Sequence, residues 1–428
     1  MKKIIVIAFL LIGQIVMAAK IESIEVKGIT IPLIFEEDAR LPIVNTQIVF
    51  TNSGSITDKK IAGLAKFSAK MLNEGNKEMG ANGFAEMLES KAIHIAASTG
   101  SETFVIETGS LNEQFKDSMK YLKMLLTEPN FTKRSLEKVK TMTMGAISRK
   151  ENDYDYIASN ALKKLLFDGT VLAQPSAGTL ESVKNITLKD VESFTKEHLV
   201  LSRAIIVVGG DVDIEAVKKQ MKKVLKVLPK GKSEPLSHYE ASSDAKTNIL
   251  KRATEQAYIY FGSPYKMAVN DEDYYKARVA TFILGTGGFG SRLMEEIRVK
   301  RGLAYSAYAR VHVSKSVSYF NGYLQTKIES QNEAKETVKE VIADFVVKGV
   351  TADELEQTKK FLLGSEPLRV ETMSQRLNRA FMDYYKGFKP GHSQKELEKI
   401  KNLKLDDLNA FIKKHKEILE LSFAIVTK

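Results

Sequence analysis

Side chains that could hold a metal ion are few and widely spaced in this chain of 428 residues. Cysteine is absent from the sequence, which excludes disulfide scaffolds and zinc–cysteine sites. A helix grips a metal ion with two histidines when they are three or four positions apart. The closest two of the six histidines, His392 and His415, are 23 positions apart (415 − 392). The sequence therefore offers no such pair among His94, His198, His238, His312, His392 and His415.

A G-x-G-x-x-G sequence at Gly285, Gly287 and Gly290 has the spacing of a loop that cradles phosphate. That fingerprint requires a strand before the first glycine, whereas residues 273–284 have the pattern of a helix. The lysine followed by Ser or Thr of a phosphate-binding loop is also missing. We interpret the glycines as a flexible turn between two helices and predict no nucleotide site.

The N-terminus has the features of a cleaved export signal. Lys2 and Lys3 precede an apolar run over residues 4–13, and a small-residue cleavage site ends at Ala18. The apolar run is too short to cross a bilayer, which requires about 20 residues. We predict a signal peptide over residues 1–18, and hence a periplasmic protein without a membrane span.

Positive charge is scattered along the chain rather than gathered into one patch. Removal of Lys2 and Lys3 leaves 62 basic residues (64 − 2) against 53 acidic ones, a net charge of +9. The densest basic run, Lys218 to Lys226, alternates with apolar residues at helical spacing. No aromatic residues interleave with this run, and an exported chain does not meet nucleic acid. We therefore predict no nucleic-acid or membrane-surface role.

The second half of the sequence repeats the first. Residues 188–198 recur as residues 405–415 with five identical positions, an offset of 217 (405 − 188). Residues 132–140 recur as residues 351–359, an offset of 219 (351 − 132). Two anchors with nearly equal offsets indicate a collinear duplication. The histidines that end the first anchor in each copy are predicted to contact the last carbonyl groups of their helices.

The repeat divides the chain into two modules joined by a linker. We predict an N-terminal module over residues 19–230, a linker rich in Pro, Gly and Ser over residues 231–247, and a C-terminal module over residues 248–428. Short strand patterns alternate with grouped helical patterns, which predicts an α+β fold with a mostly antiparallel or mixed sheet in each module. In the first module we predict strands at 21–26, 31–35, 43–51, 92–99 and 103–109 and helices at 60–72, 83–89, 111–126, 133–151 and 154–167.

Three segments resemble the insulinase–pitrilysin–processing peptidase family. Residues 285–308, GTGGFGSRLMEEIRVKRGLAYSAY, resemble the signature of the family's second module. Residues 61–75, IAGLAKFSAKMLNEG, are similar to the zinc-motif helix of its first module, and residues 180–213 resemble its helix–strand segment. The similarity follows the family's order over nearly the whole chain after residue 18. It implies duplicated α+β modules that form half of a peptide-enclosing chamber.

The resemblance places the family's zinc motif, His-x-x-Glu-His, at Lys66, Ala69 and Lys70. In that motif two histidines bind zinc, and the glutamate takes a proton from zinc-bound water. A lysine keeps its proton near neutral pH and repels a cation, and alanine cannot act as a base. The resemblance also implies a third ligand, a glutamate after Glu137 on the helix predicted over residues 133–151. It is missing, because no acid occurs over residues 138–150. We predict no metal and no catalytic residue in this chain alone.

The second module keeps the other part of the family's machinery. Arg298 and Tyr305 match the arginine–tyrosine pair that, in family members, reaches across the chamber to the bound peptide. A guanidinium and a phenol can both donate hydrogen bonds to a carbonyl oxygen and stabilise negative charge that develops there. The alternative is that Arg298 is a solvated residue at a helix end and that Tyr305 belongs to the core.

The strand over residues 93–99 aligns with the family's edge strand that pairs with substrate. A peptide would add to its backbone at Ala96, Ala97 and Ser98 by main-chain hydrogen bonds. An ordinary hairpin strand is an equal alternative, because the substrate of a divided enzyme should pair with the strand beside the zinc. We interpret His94 as a surface residue of this strand and not as a ligand.

With the zinc positions lost and the arginine–tyrosine pair kept, the family resemblance implies the non-catalytic, substrate-binding subunit of a two-chain zinc metalloendopeptidase. Its partner would be a zinc-bearing homologous peptidase subunit, so the zinc cofactor would belong to the partner and none to this chain. The substrate would be a peptide or an unfolded polypeptide. A different class of function, a stand-alone peptide-binding or assembly-scaffold protein without protease activity, is the main alternative, and an unconventional metal site in this chain is a third hypothesis.

Overall fold

Two β-sheets organise the structure, one built from each half of the sequence. The computed structural model describes residues 19–428, so the predicted signal peptide lies outside the described residues. The strands are β1 (Lys20–Val26), β2 (Ile29–Glu37), β3 (Ile43–Thr51), β4 (His94–Thr99), β5 (Thr103–Leu111), β6 (Ala204–Gly210), β7 (Thr247–Lys251), β8 (Gln256–Pro264), β9 (Ala304–Val313), β10 (Ser318–Lys327) and β11 (Ser422–Thr427).

Helices cover these sheets. The helices of the first half are α1 (Leu64–Leu72), α2 (Gly80–Glu89), α3 (Phe115–Thr127), α4 (Lys133–Arg149), α5 (Tyr154–Phe167), α6 (Leu180–Asn185), α7 (Leu188–His198) and α8 (Ile214–Leu225). Those of the second half are α9 (Tyr274–Thr281), α10 (Arg292–Met294), α11 (Gln331–Lys348), α12 (Ala352–Gly364), α13 (Met373–Lys386), α14 (His392–Asn402) and α15 (Leu405–Lys414). None of the helices within residues 19–428 has the length and apolar character needed to cross a bilayer.

The two sheets share one strand order, which confirms the predicted α+β fold with a mixed sheet in each half. The first sheet has the order β1-β2-β6-β3-β5-β4, and the second has the order β7-β11-β8-β10-β9. In each sheet a single parallel pair, β2 with β6 or β7 with β11, lies beside antiparallel pairs. Strand β1 is an additional edge strand that pairs with β2 alone. The repeated sequence therefore folds twice into one sheet topology.

Local polar contacts set where the repeated helices begin. The hydroxyls of Thr132 and Thr351, which open one pair of anchors, accept hydrogen bonds from the third residue of α4 and of α12. Helix α1 begins at Leu64, four residues after its predicted start. Asp58 accepts hydrogen bonds from the backbone N–H groups of Gly63 and Ala65, so this carboxyl satisfies donors at the start of the helix.

Each half of the chain covers a face of the other half's sheet with one helix. Helix α5 packs Leu166 in an apolar cluster with Ala424 of β11. Helix α13, 219 positions later (373 − 154), packs Leu377 in a cluster with Val207 of β6. Residues 231–246, which follow α8, contain no helix or strand. Strand β7 starts at Thr247, so the predicted linker ends one residue inside this strand. Because each half supplies a helix that covers the other half's sheet, the two halves share their packing.

A buried ion network fastens α13 to the first sheet. Arg376 donates from Nε to Glu36 Oε1 at 2.8 Å and from Nη2 to Asp38 Oδ2 at 3.0 Å. Its Nη1 donates to the carbonyl oxygens of Val370 and Glu371. Burial raises the pKa of Glu36, which is 3% exposed, although Arg376 opposes that shift. A hydrogen bond from Arg40, with a smaller contribution from the charge of Arg376, lowers the pKa of Asp38 to about 2.

A second polar contact joins the turn before β5 to the other half. The carboxylate of Glu102 accepts hydrogen bonds from Ser316 N and from the Tyr385 hydroxyl, each at 2.7 Å. Glu102 is buried, so these donors replace the water it loses on folding. The halves are thus joined by paired polar groups as well as by the exchanged helices.

Candidate functional site

Helix α1 carries two lysines at the positions that the resemblance assigns to zinc ligands. Lys66 is exposed and Ala69 is buried, 3% exposed. Lys70 donates from Nζ to Thr143 Oγ1 of α4 at 2.9 Å, on the helix from which the third ligand was expected. Burial lowers the pKa of Lys70, and the charge of Lys66 lowers it further. Two neighbouring ammonium groups repel a divalent cation, and no group of three His, Asp or Glu side chains in residues 19–428 could hold one.

Strand β4 lies at the edge of the first sheet and pairs with β5 on one side only. On its other side, the side-chain amide of Asn73 donates to Ala97 O at 2.9 Å and accepts from Ala97 N at 2.7 Å. Successive residues of a strand direct their backbone groups to alternate sides, so Ala96 and Ser98 face β5. Of the three predicted peptide-pairing positions, two therefore face the sheet and Ala97 is covered by Asn73. Strand addition there requires the Asn73 amide to move.

Asn73→Ala should open the covered edge of β4. The variant loses two hydrogen bonds, each worth about 1 kcal/mol, so hydrogen exchange of the Ala97 amide should become about 5- to 30-fold faster. Exchange measured by NMR or by mass spectrometry of short peptides checks this. Asn112→Ala, which removes an exposed amide bonded to Asp211, should leave Ala97 unchanged and serves as the control. Equal Ala97 exchange in wild type and Asn73→Ala would show that Asn73 does not protect the edge.

Arg298 lies over two exposed aromatic rings. Its guanidinium carbon is 4.2 Å from the ring centre of Tyr305 and 4.6 Å from that of Phe289. Tyr305 is 81% exposed and Phe289 is 64% exposed, which excludes the core role considered for Tyr305. Stacking holds the planar cation in place and leaves its in-plane N–H groups available to a ligand. The sequence analysis did not single out Phe289. The one feature that marks it in the sequence is its position as an aromatic residue between Gly288 and Gly290.

Turn geometry brings the two members of this pair together. Arg298 lies in a helical turn over Glu295–Lys300, which ends where Gly302 adopts a positive φ of 62°. The backbone N–H of Leu303 then returns to Ile297 O at 2.8 Å, and β9 starts at the next residue. A left-handed glycine is the usual way to end a helix sharply. It places Tyr305 beside Arg298 although seven positions separate them.

The glycine sequence before this turn has a packing role. A Cβ atom on Gly285 would lie 2.4 Å from the backbone nitrogen of Ala309 in β9. Gly285 belongs to a helical turn over Phe282–Thr286, so the predicted flexible turn is wrong at this position. Glycine is needed there because the helix lies directly on the strand.

Two other arginines in the same segment have acidic partners. Arg292 donates to both carboxylate oxygens of Glu354, at 2.6 Å and 2.7 Å. Arg301 donates to Glu340 at 3.1 Å and to Thr337 at 2.7 Å. Within residues 19–428, Arg298 forms no ion pair or hydrogen bond through its guanidinium, which lies over the rings of Phe289 and Tyr305. The segment thus leaves one positioned cation able to bind a ligand.

The histidines at the ends of the repeated anchors have structural partners. Arg203 donates from Nη1 to His198 Nδ1 at 2.9 Å, and burial, followed by the charge of Arg203, lowers the pKa of His198. His415 lies with Nδ1 2.8 Å from Glu417 Oε1. Both rings are buried. The predicted contacts with the last carbonyl groups of their own helices are therefore wrong, because each Nδ1 contacts a side chain that follows its helix.

Comparison with known proteins shows the family to which this chain belongs. Residues 36–180 match the insulinase family (peptidase family M16), and residues 185–362 match the peptidase M16 inactive domain. The non-peptidase homolog YmxG of Helicobacter pylori is 42% identical over 427 residues, which covers all of this chain and 99% of that protein. The chain belongs to the insulinase family, peptidase family M16.

Solved structures share the fold along the whole described chain. A peptidase M16 inactive domain from Pseudomonas fluorescens has a TM-score of 0.87 at 22% identity, over 95% of this chain and 98% of that one. A protease from Helicobacter pylori has a TM-score of 0.82 at 16% identity, over 96% of this chain and 100% of that one. The duplicated α+β architecture is thus that of the family.

Proposed function

We propose that this chain is the non-catalytic, substrate-binding subunit of a two-chain zinc metalloendopeptidase of the periplasm. The observation that carries the proposal is a contrast between the two halves. The first half presents lysine, alanine and lysine where the family has its zinc ligands and base. The second half presents Arg298 and Tyr305 stacked together, exposed and without polar partners in the described residues.

In the proposed complex this chain acts on the carbonyl group of the bound peptide. The partner's zinc would supply the activated water. Arg298 would donate an N–H group, and Tyr305 its hydroxyl, to the carbonyl oxygen. Because that oxygen gains negative charge as water attacks, donors held in place bind the transition state more strongly than the ground state. Stacking on Phe289 and Tyr305 would keep the guanidinium oriented before substrate arrives.

Two findings on related proteins support a division between two chains. The relative at 42% identity is named a non-peptidase homolog, which agrees with the lysines of α1. Helicobacter pylori, which has that relative, also has a protease with the same fold. One organism thus holds a non-peptidase homolog and a protease of the same fold.

Purification from the native periplasm, followed by peptide-cleavage assays, tests the proposal. A zinc-bearing homologue should co-purify with this chain, and unfolded peptides should be cleaved by the pair at least about 10-fold faster than by either chain alone. The isolated chain should contain no stoichiometric zinc. A partner that cleaves equally well without this chain, or cleavage by the isolated chain, would overturn the proposal. In the first case a scaffold or stand-alone binding role would remain.

A further inference from the structure

A cavity of about 330 Å³ lies between the two halves, beside α1. Helices α1 and α5 contribute Lys66 and Lys163 to its wall, and strands β9 and β10 contribute His312 and Tyr319. Such a volume suits a side chain or a chain terminus and is at the lower end for small-molecule sites. Arg298 is absent from the residues that line it, so this cavity is distinct from the stacked pair.

Lys163 gives the cavity an uncompensated positive charge. Within residues 19–428 its ammonium forms no ion pair and no hydrogen bond, and burial lowers its pKa. A cation removed from bulk water without a partner is costly, and a bound anion would offset that cost. The neighbouring Lys164 is exposed and lines a different cavity.

Neutral hydrogen-bond donors lie near this cation. Burial, and then the charge of Arg310, lower the pKa of His312. Burial raises the pKa of Tyr319. Near neutral pH an uncharged imidazole has one N–H and a phenol has one O–H, and both can donate to an anion. The rings of His312 and Tyr319 are 5.2 Å apart, so their donors lie in one region of the wall.

Asp58 is the single acidic side chain among the residues that line this cavity. Its two oxygens accept hydrogen bonds from Gly63 N at 3.1 Å and Ala65 N at 2.9 Å, at the start of α1. Burial raises its pKa to about 7, so much of it is uncharged at slightly acidic pH. It forms no ion pair with Lys163. Two lysines against this one carboxyl leave the wall net positive.

We propose that this cavity binds a carboxylate of a peptide, with Lys163 and Lys66 as its cationic partners. The carboxylate is that of an aspartate or glutamate side chain or of the peptide's C-terminus, which present the same pair of oxygens. The choice of a peptide as its carrier rests on the proposed function. Binding itself needs neither the zinc-bearing partner nor Arg298.

Binding of three fluorescent peptides to the isolated chain tests the site. All have one length: one carries glutamates and an amidated C-terminus, one carries glutamines and a free C-terminus, and one carries glutamines and an amidated C-terminus. At low salt and about pH 6, the first or the second should bind about 10-fold more tightly than the third. Whichever binds more tightly identifies the source of the carboxylate.

Lysine variants show whether the binding occurs in this cavity. Lys163→Met should remove most of the preference for the charged peptide, whereas Lys164→Met, the matched control, should keep it. Lys66→Met, on the exposed side of α1, provides a second variant should Lys163→Met fold poorly. Equal binding of the three peptides, or a preference that survives both cavity variants, would overturn the proposal. Cleavage by the two-chain complex is a separate readout, so the site and the proposed function can fail independently.

Discussion

Arg376→Ala should lower the free energy of unfolding by about 3–5 kcal/mol. The arginine is 11% exposed and holds Glu36, Asp38 and two backbone carbonyls. Its removal leaves the Glu36 carboxylate buried without its counter-charge, while Asp38 keeps Arg40. Urea unfolding followed by circular dichroism measures the change. Because α13 belongs to the second half and Glu36 to β2, the variant tests whether the halves stabilise each other.

The loss in Arg376→Ala should grow as pH rises. Burial already raises the pKa of Glu36, and loss of the arginine raises it further. A carboxyl whose pKa is raised on folding favours the folded state at low pH, and that contribution disappears as pH rises through the folded-state pKa. The free-energy difference between wild type and variant should thus be smaller near pH 5 than near pH 8.

Two companion variants separate the buried charge from simple loss of an arginine. Glu36→Gln combined with Arg376→Ala should recover at least about 1–2 kcal/mol, because the lone buried charge is gone. Arg301→Ala removes an arginine whose partner Glu340 is exposed, and should cost less than about 1 kcal/mol. If Arg376→Ala destabilises no more than Arg301→Ala, the network does not fasten the halves.

The sequence repeat was sufficient to predict two sheets of one kind. Its anchors contain the threonines that cap α4 and α12 and precede the strands β6 and β11, so local residues define matching elements in both copies. The exchange of α5 and α13 was not predictable in the same way. An apolar helix face shows that a helix is buried, and it carries no label for the sheet that buries it.

Features of the sites depend on contacts that distant residues make. Asn73 covers Ala97 across 24 positions, and nothing in its sequence setting distinguishes it from a residue that ends a helix. Lys66 and Lys163 are 97 positions apart (163 − 66), on helices that the fold brings to one cavity. The net charge of the chain does not indicate which lysines line a cavity. Arg298 and Tyr305 were singled out by the resemblance of their segment to the family, and the turn at Gly302 brings them together in the structure.

Arg298→Ala should reduce kcat/KM of the assembled pair by about 100- to 1000-fold, the usual effect of losing one positioned donor to a developing oxyanion. Tyr305→Phe should reduce it by a similar factor while keeping the ring on which the guanidinium stacks. Phe289→Ala removes only the second ring and should cost a few-fold, since an exposed cation–π contact is worth about 0.5–1 kcal/mol. The loss in kcat/KM should therefore be larger for the two variants that remove a hydrogen-bond donor than for Phe289→Ala, which removes only a ring.

Cleavage by each purified pair, with assembly checked by size-exclusion chromatography, measures these ratios. Arg301→Ala is the matched control, because this arginine lies three positions away and its guanidinium donates to Glu340 and Thr337. Its kcat/KM should stay within about twofold of wild type. Normal cleavage by an intact pair that carries both Arg298→Ala and Tyr305→Phe would remove the stacked pair from the mechanism. A selective loss would place the acting donors on the chain that lacks the metal motif, so that catalysis requires both subunits.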